Sequence, residues 1–563
     1  MRPLDWVVMF GWLIFIVSYG VYRGRGSSTM NKYMLAGRTM PWYAMGLSIM
    51  ATQASAITFI STTGQSYVDG MRFVQFYFGL PLAMVILCAT AVPIFHRTKV
   101  YTAYEYLELR FDAKTRALVS AIFLIQRGLA AGLSLYAPSV VLSVILGWPD
   151  RITTLLMGFL IIAYTAVGGI KAVTWSDVLQ MSLILCALVL ALCIAISLLP
   201  PGVHFSDAVR LAGAVGKLNA VNPKFDWNDR YNVWSGLIGG MFLMLAYFGC
   251  DQSQVQRYLT GKSIAQSRLS LLFNAMAKIP MQFFILFIGA VVFVFFIYVQ
   301  PPVLFNPVAL KQVQSNGAYG RIQERFAGAF QSRRSAAQHY LEARRAHDSA
   351  AEQASLAQYR QAQTDLRAAH HSAEMISGSN DTNYIFLSFV TKYLPAGIVG
   401  LIIAVIFSAA MSSTSGEINS LATVTVIDIY RRHVRKHATD RHYLIASRIG
   451  TVFWGFYAIA FAQFGRGFGA LIEAVNMVGS LFYGGMLGVF VLAFFFKRVG
   501  ANGAFYGVLA GEGAIFAANW FTKISFLWYN VIGCAVVVAV GVLISTMSAG
   551  KTQDQRLTTG TAG

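Results

Sequence analysis

Charge is what this 563-residue chain has least of: 12% of its residues are Asp, Glu, Lys or Arg, about half the share of an ordinary soluble domain. Acids are scarcer than bases, 24 against 44, which leaves a formal charge of +20. The five cysteines (Cys88, Cys186, Cys193, Cys250, Cys534) fall within or at the end of apolar runs without a CxxC pair, which excludes a disulfide framework and a zinc site. None of the nine histidines lies in an apolar core, so neither a haem site nor an intramembrane metalloenzyme is indicated. A nucleophile–base pair, a phosphate loop and a metal constellation are also missing. The chain is therefore not read as an enzyme, and no organic cofactor is implied.

What the chain has instead is apolar length: 56% of residues are hydrophobic and 14% aromatic. Thirteen apolar segments of membrane-crossing length lie near 5–22, 41–64, 72–95, 116–146, 151–167, 175–199, 233–250, 269–299, 396–428, 443–464, 470–496, 501–521 and 524–546. The first is an anchor and not a signal peptide, because no small-residue cleavage site follows it and further spans do. Basic clusters follow the first span (Arg23, Arg25, Lys32, Arg38) and fill 96–116 and 431–442. The positive-inside rule then places the N-terminus outside and the C-terminus in the cytoplasm of an integral plasma (inner) membrane protein. The positive charge is topology and lipid contact, and no separate basic domain points to nucleic acid. The 200–232 loop, placed outside, carries four basic residues against that rule. Residues 310–376 differ in kind, being Ala-, Gln- and Arg-rich, and predict one or two long polar helices on the outer face. They read as an insertion solvated by its own charges, with a partner-docking or site-capping module as the alternative. His339, His347, His370 and His371 have no diagnostic metal spacing.

Two segments break the apolar pattern. Residues 400–430 carry Ser408, Ser412, Ser413, Thr414 and Ser415 beside Glu417 and Asn419. Unpaired polar groups are expensive in a bilayer, so such a cluster needs an ion, water or another helix as partner. The second span, through Gly46, Ala51, Ala54 and Thr58, is interrupted by small and polar residues, and a helix that breaks there frees backbone carbonyls. Neutral oxygens from both segments suit sodium better than magnesium or calcium, which demand carboxylates or retained water. Ala409, Ser412 and Ser413, at i, i+3 and i+4, share one helical face, as a single ion requires.

Six stretches in order, GRTMPWYAMGLSIMATQASAITFIS (37–61), TAYEYLELRF (102–111), GGIKAVTWSDVLQ (168–180), GCDQSQVQRYLT (249–260), AAMSSTSGEINS (409–420) and GSLFYGGMLGVF (479–490), resemble the sodium:solute symporters over residues 5 to 547, the insertion excepted. The resemblance implies an all-α polytopic protein with the LeuT-like inverted repeat of two five-helix bundles. By it, 1–40 is an accessory helix and loop, 41–199 the first repeat, 200–232 an extracellular loop, 233–496 the second repeat, 497–547 two accessory helices and 548–563 a cytoplasmic tail.

The resemblance also assigns a sodium site to the backbone of Ala51 and Ala54 with Ala409, Ser412 and Ser413. Some members have a second sodium site, to which Asp177 and Ser415 correspond, but Gly416 stands where a second serine would help. Asp177 is alternatively part of an inward release path or the cap of a helix starting near Ser176. Solute and gate positions fall on Gln53, Thr58, Phe76, Tyr77, Tyr247, Phe248, Lys278 and Asn476, with Tyr247 matching the aromatic inner gate. Asn476 and Tyr77 differ from a sugar-transporting relative, which argues against a hexose. Arg127 and Lys278 are intramembrane cations. They face an anionic solute or pair with Glu417, Glu473 or Asp251.

The expected activity is sodium-coupled symport of a small polar or anionic organic solute by alternating access. Two rivals are a proton-coupled carrier using Glu417 or Asp177 and a transporter-like sensor with a partner on the outer insertion. Sodium, the solute and membrane lipid are the expected partners; the sequence names no protein partner.

Overall fold

The computed structural model describes residues 1–24, 29–165, 170–464 and 470–559. Arg25, the end of the 151–167 segment, Gly168 and Gly169 of one signature and residues 560–563 of the tail lie outside it. All thirteen predicted spans coincide with helices. Nine described helices are long and apolar enough to cross a membrane, and the pair Trp42–Gln53 and Ala56–Asp69, bent by 54°, makes a tenth. The other three expected spans are Asp150–Thr165, Ser235–Gly249 and Ala501–Phe521. The last helix, Phe526–Thr559, runs on through most of what was expected to be a tail.

Hydrogen bonds and ion pairs sort the connecting segments into two sides. On one, Asp5 accepts from the Gly397 N–H, Arg72 pairs with Asp229, Arg230 with Glu473, and the Tyr384 hydroxyl bonds Asp150. On the other, Met40 N–H bonds the Thr260 carbonyl, Arg116 pairs with Asp428, Arg432 with Glu108, and Arg110 reaches the Lys497 carbonyl. These sets alternate between the two ends of successive helices along the chain. The 200–232 loop satisfies three of its four basic residues locally, through Arg210–Asp207, Arg230–Glu473 and Lys217 on the Tyr67 carbonyl.

Apolar side chains point both inward and outward. Ile449, Phe453 and Phe456 are exposed along one face of the Asp440–Ala462 helix, where a lipid phase would cover them. The broken helix is deeply enclosed. A Cβ at Gly64 would lie 1.9 Å from the Thr382 carbonyl oxygen, and one at Gly289 2.2 Å from that of Thr63. Glycine is what lets the Ile264–Tyr298 helix and the 381–384 turn close on it.

The insertion is a two-helix hairpin, Tyr319–Arg345 and Ser349–Ser377. Contrary to the expectation of a segment solvated by its own charges, it has an apolar stripe. Phe326, Phe330, Leu366 and Ala373 form its own core, and Ala337, Tyr340 and Tyr359 pack on Phe293 and Ile297 of the bundle. The helical spacing of Phe326, Phe330, Ala337 and Leu341 puts these residues on one face, and burying that face is what docks the hairpin.

Candidate ion and solute site

The helix Trp42–Gln53 ends without proline or glycine. Ala54 leaves the helical region at φ −92° and ψ 61°, and Ser55 is extended. Two bonds hold the break: Ala54 N–H donates to the Met50 carbonyl at 2.7 Å, and the Thr58 hydroxyl donates to the Gln53 carbonyl at 3.1 Å. The carbonyls of Ala51 and Ala54 receive no hydrogen bond from the described residues, although both residues are buried. Orphan carbonyls away from water need a partner.

The Ile398–Val424 helix packs along both halves of the break. Its hydroxyls divide by direction. Ser408 accepts from Trp12 Nε1 of the first helix at 3.1 Å, which is helix-to-helix attachment. Ser413 donates back to the Ala409 carbonyl at 2.9 Å, and Ser412 donates to Asp177 Oδ1. A hydroxyl that donates its one proton keeps lone pairs for a cation, so Ser412 and Ser413 remain usable ligands. Ser415 is buried one turn beyond Met411.

Asp177 does not cap a helix. Its helix is already formed at Ile170, and the carboxylate is fully buried in the interior. It accepts from Ser48 at 2.6 Å and from Arg257 Nη1 at 2.7 Å as well as from Ser412. One carboxylate thus joins four elements: the first half of the broken helix, its own helix, the hydroxyl helix and the Gln252–Tyr258 turn of helix. A Cβ at Gly416 would lie 2.6 Å from Arg257 Nη2. The glycine that weakened the second sodium site in the sequence is therefore what admits the guanidinium.

Beside the break lies a cavity of about 70 Å³. Of the solute positions expected from sequence, Gln53, Phe76, Tyr77, Tyr247 and Asn476 line it, while Thr58, Phe248 and Lys278 do not. Thr58 is turned to the Gln53 carbonyl, and Phe248 stacks against Tyr247 with centroids 4.9 Å apart. The Tyr247 hydroxyl accepts from Gln254 at 2.7 Å, and Asn476 donates to the Ile472 carbonyl at 2.7 Å. Arg127 is the only cation on the wall among the described residues. It pairs with Asp251 and with Glu417 at 3.1 Å, and it donates to Tyr483 at 2.7 Å. Its pairing alternative is the one the structure contains, whereas Glu473 is taken by Arg230. Lys278 has no hydrogen-bond partner and sits behind the wall, with Nζ 5.3 Å from the Tyr77 ring centre.

Sequence reading missed Ser48, Thr52, Gln126, Ser134, Arg257 and Tyr483. Ser48 was signalled by its position one turn before Ala51 and Thr52 on the same helix. Arg257 and Tyr483 lie inside two of the quoted stretches, but nothing in the spacing aims them inward.

A solved structure of a substrate-bound, outward-open Na+-coupled sialic acid symporter superposes on this chain with a TM-score of 0.75 at 24% identity, covering 97% of this chain and 98% of that one. The fold is thereby that of a LeuT-like transporter, all-helical with a discontinuous first core helix. The model of the sodium:solute symporter family matches residues 33–323 and 363–511. The chain belongs to the sodium:solute symporter family, and its function is sodium-coupled solute symport. The sodium/sialic acid symporter SiaT of Proteus mirabilis (strain HI4320) is 27% identical over 557 residues, 98% of this chain and 96% of that protein. The sodium-dependent multivitamin transporter of Oryctolagus cuniculus is 28% identical over 90% of this chain and 69% of its own length. Human sodium-coupled monocarboxylate transporter 1 is 27% identical over 90% of this chain and 72% of its own length.

Proposed function

We propose that the protein carries a small polar organic acid into the cell with one sodium ion per cycle. The orphan carbonyls of Ala51 and Ala54, beside a helix that offers Ala409, Ser412 and Ser413, carry the sodium assignment. In this reading Asp177 acts one shell out. By accepting the Ser412 proton it fixes that hydroxyl's orientation and makes its oxygen a better cation ligand. Arg257 occupies the charge partnership with Asp177 that a second sodium would need, and Ser415 is left with no carboxylate of its own. The resident guanidinium is the physical argument for a single ion.

The first half of the broken helix holds the sodium carbonyls, and residues at and around the break, Thr52, Gln53 and Ser55, line the cavity. A sodium that ties the break to the hydroxyl helix therefore orders the solute wall, and each ligand strengthens the other by the same factor. One sodium moving with one monocarboxylate anion carries no net charge, so the sodium concentration gradient drives accumulation; the membrane potential, about 2.3 kcal/mol per net charge per 100 mV, adds to it only for a neutral solute. No covalent step is involved.

The solute class follows from the unpaired atoms of the wall. Among the described residues Arg127 Nε is a free donor on this wall, and Gln53 Oε1, Gln126 Oε1 and Glu417 Oε2 are free acceptors. A carboxylate near Arg127, with hydroxyl or amide protons toward these acceptors, completes them; the named solutes of the sialic acid and monocarboxylate relatives are acids of this general kind. Glu417 and Asp177 are both held by arginines, which favours sodium over proton coupling. With the basic segments 23–38, 96–116 and 431–442 in the cytoplasm of the plasma membrane, the N-terminus and the insertion lie outside. Purified protein titrated with hydroxylated carboxylates, sugars and amino acids in a thermal-shift assay tests this. An acid should stabilise it only with sodium and not in Ser413→Ala; stabilisation indifferent to sodium refutes the assignment.

A further inference from the structure

A second cavity, of about 150 Å³, lies between the insertion hairpin and the bundle. By the measure in which one water needs about 10–15 Å³, it holds roughly ten water-sized groups. Its apolar walls are Tyr67, Phe305, Phe326 and Leu366, and its cations are Arg333 and Arg367. Arg333 is 0% exposed. Its Nη1 donates to Gln363 at 3.0 Å, its Nη2 donates to the Phe296 carbonyl, and the Tyr67 hydroxyl lies beside it. Its Nε has no partner. Among the described residues no carboxylate forms an ion pair with Arg333 or Arg367.

The acids nearby are already engaged. Asp381 accepts from the Phe305 and Asn306 N–H groups at 2.6 and 2.8 Å and from His370 at 3.2 Å. Glu374 accepts from the Asp381 N–H at 2.9 Å and lies 3.8 Å from His370 and 3.6 Å from His371. A fully buried guanidinium without a counter-charge is costly, and an arginine with an open N–H edge presents the fork geometry that a carboxylate fits.

We propose that this cavity is a second ligand site, separate from the transport cavity, for a small amphipathic carboxylate. Its carboxylate lies on Arg333 and Arg367, and its apolar body of about ten heavy atoms lies against the ring and leucine walls. Arg333 and Phe326 fall in residues 324–362, which the family model leaves unmatched, while Arg367 and the other walls fall in matched segments. Because Tyr67 and Val68 are the outer end of the broken helix, an occupant touches an element of the transport machinery directly.

The test uses full-length protein in sodium-free buffer, titrated with benzoate, 3-phenylpropanoate and octanoate, each beside its neutral amide. At least one acid should bind saturably in the millimolar range or tighter, and its amide about tenfold more weakly or worse. Arg333→Gln should abolish the binding and Arg367→Glu should weaken it, while Tyr247→Ala, in the wall of the other cavity, should leave it unchanged. Should Arg333→Gln fail to fold, Arg367→Glu decides, since that side chain is exposed. No saturable binding by any of the three acids, equal binding of acid and amide, full affinity in Arg367→Glu, or loss in Tyr247→Ala would each overturn the proposal.

Discussion

Two buried polar clusters flank the broken helix, and they are built on opposite plans. Around Asp177, the carboxylate accepts from Ser48, Ser412 and Arg257 Nη1 across four elements, while Arg257 Nε and Nη2 have no hydrogen-bond partner among the described residues. Along the Ile264–Tyr298 helix, Asn274, Lys278 and Gln282 stand at i, i+4 and i+8, are fully buried, and have no hydrogen-bond partner among the described residues for any side-chain nitrogen or oxygen. The first cluster is closed at its carboxylate and holds helices together. The second is open and lies behind the Tyr77 ring, outside the lining of the solute cavity. A closed cluster supplies contacts that define one state; an open one leaves contacts unmet in it.

The largest effect should come from breaking the closed cluster. Arg257→Ala leaves Asp177 as a lone buried charge and should cost about 3–5 kcal/mol of stability, read as a lowered Tm. Adding Asp177→Asn should recover most of it, because the uncompensated charge is then gone. Sodium should stabilise Arg257→Ala more steeply than the parent, since a second cation can take the vacated partnership. A Tm equal to the parent's would refute the pairing.

Next in size is the proposed sodium site. Ser413→Ala removes one ligand without touching Asp177 and should weaken sodium binding about tenfold or more, with sodium-free stability close to the parent's. Ser412→Ala should lose both affinity and stability, because in the proposed site its hydroxyl would serve the ion as well as the Asp177 carboxylate. Equal sodium titration curves for both variants and the parent would remove these serines from the site.

The open cluster should answer differently. Lys278→Met deletes a buried charge with no hydrogen-bond partner among the described residues, so Tm should hold or rise. If Tm falls sharply instead, Lys278 has a structural partner and the contrast between the clusters fails.

Those contrasts mark how far the sequence was legible. Apolar run length located every span, because a bilayer imposes the same length on each helix. Small and polar residues inside the second span pointed to a break between Gly46 and Thr58, which the structure puts at Ala54, and the spacing of Ala409, Ser412 and Ser413 defined one face. What spacing does not carry is the neighbour on that face. Ser408, in the same hydroxyl run, turned out to meet Trp12 of the first helix, while Ser412 meets a carboxylate 235 residues away. Capping, one of the alternatives for Asp177, suggested itself because apolarity begins only near Trp175, whereas the helix is already wound at Ile170. Arg257 sits in a short polar stretch between spans, where a basic residue reads as a topology signal; only tertiary structure turns it inward. Lys278 was expected on the solute wall and lies one aromatic layer behind it.

The insertion sharpens the comparison from outside the membrane, and its expected effect is the smallest. Burial disfavours the His370 imidazolium, but the hydrogen bond and charge of Asp381, with Glu374, outweigh it and hold the pKa above the usual histidine range. A group whose folded pKa is raised contributes stability that is fully present below the unfolded pKa, about 6.5 for histidine, and is lost as pH rises through the folded value. Hydrogen exchange of the Ser349–Ser377 helix should therefore be slower, after correction for intrinsic rates, at mildly acidic pH than at mildly alkaline pH, and His370→Asn should remove that difference while leaving the Asp177 cluster's protection unchanged. Persistence of the pH difference in His370→Asn would assign it to another group in the hairpin. Its absence from the parent would mean that Asp381 is satisfied by the Phe305 and Asn306 amides alone, which would make the insertion a closed cluster of the Asp177 kind.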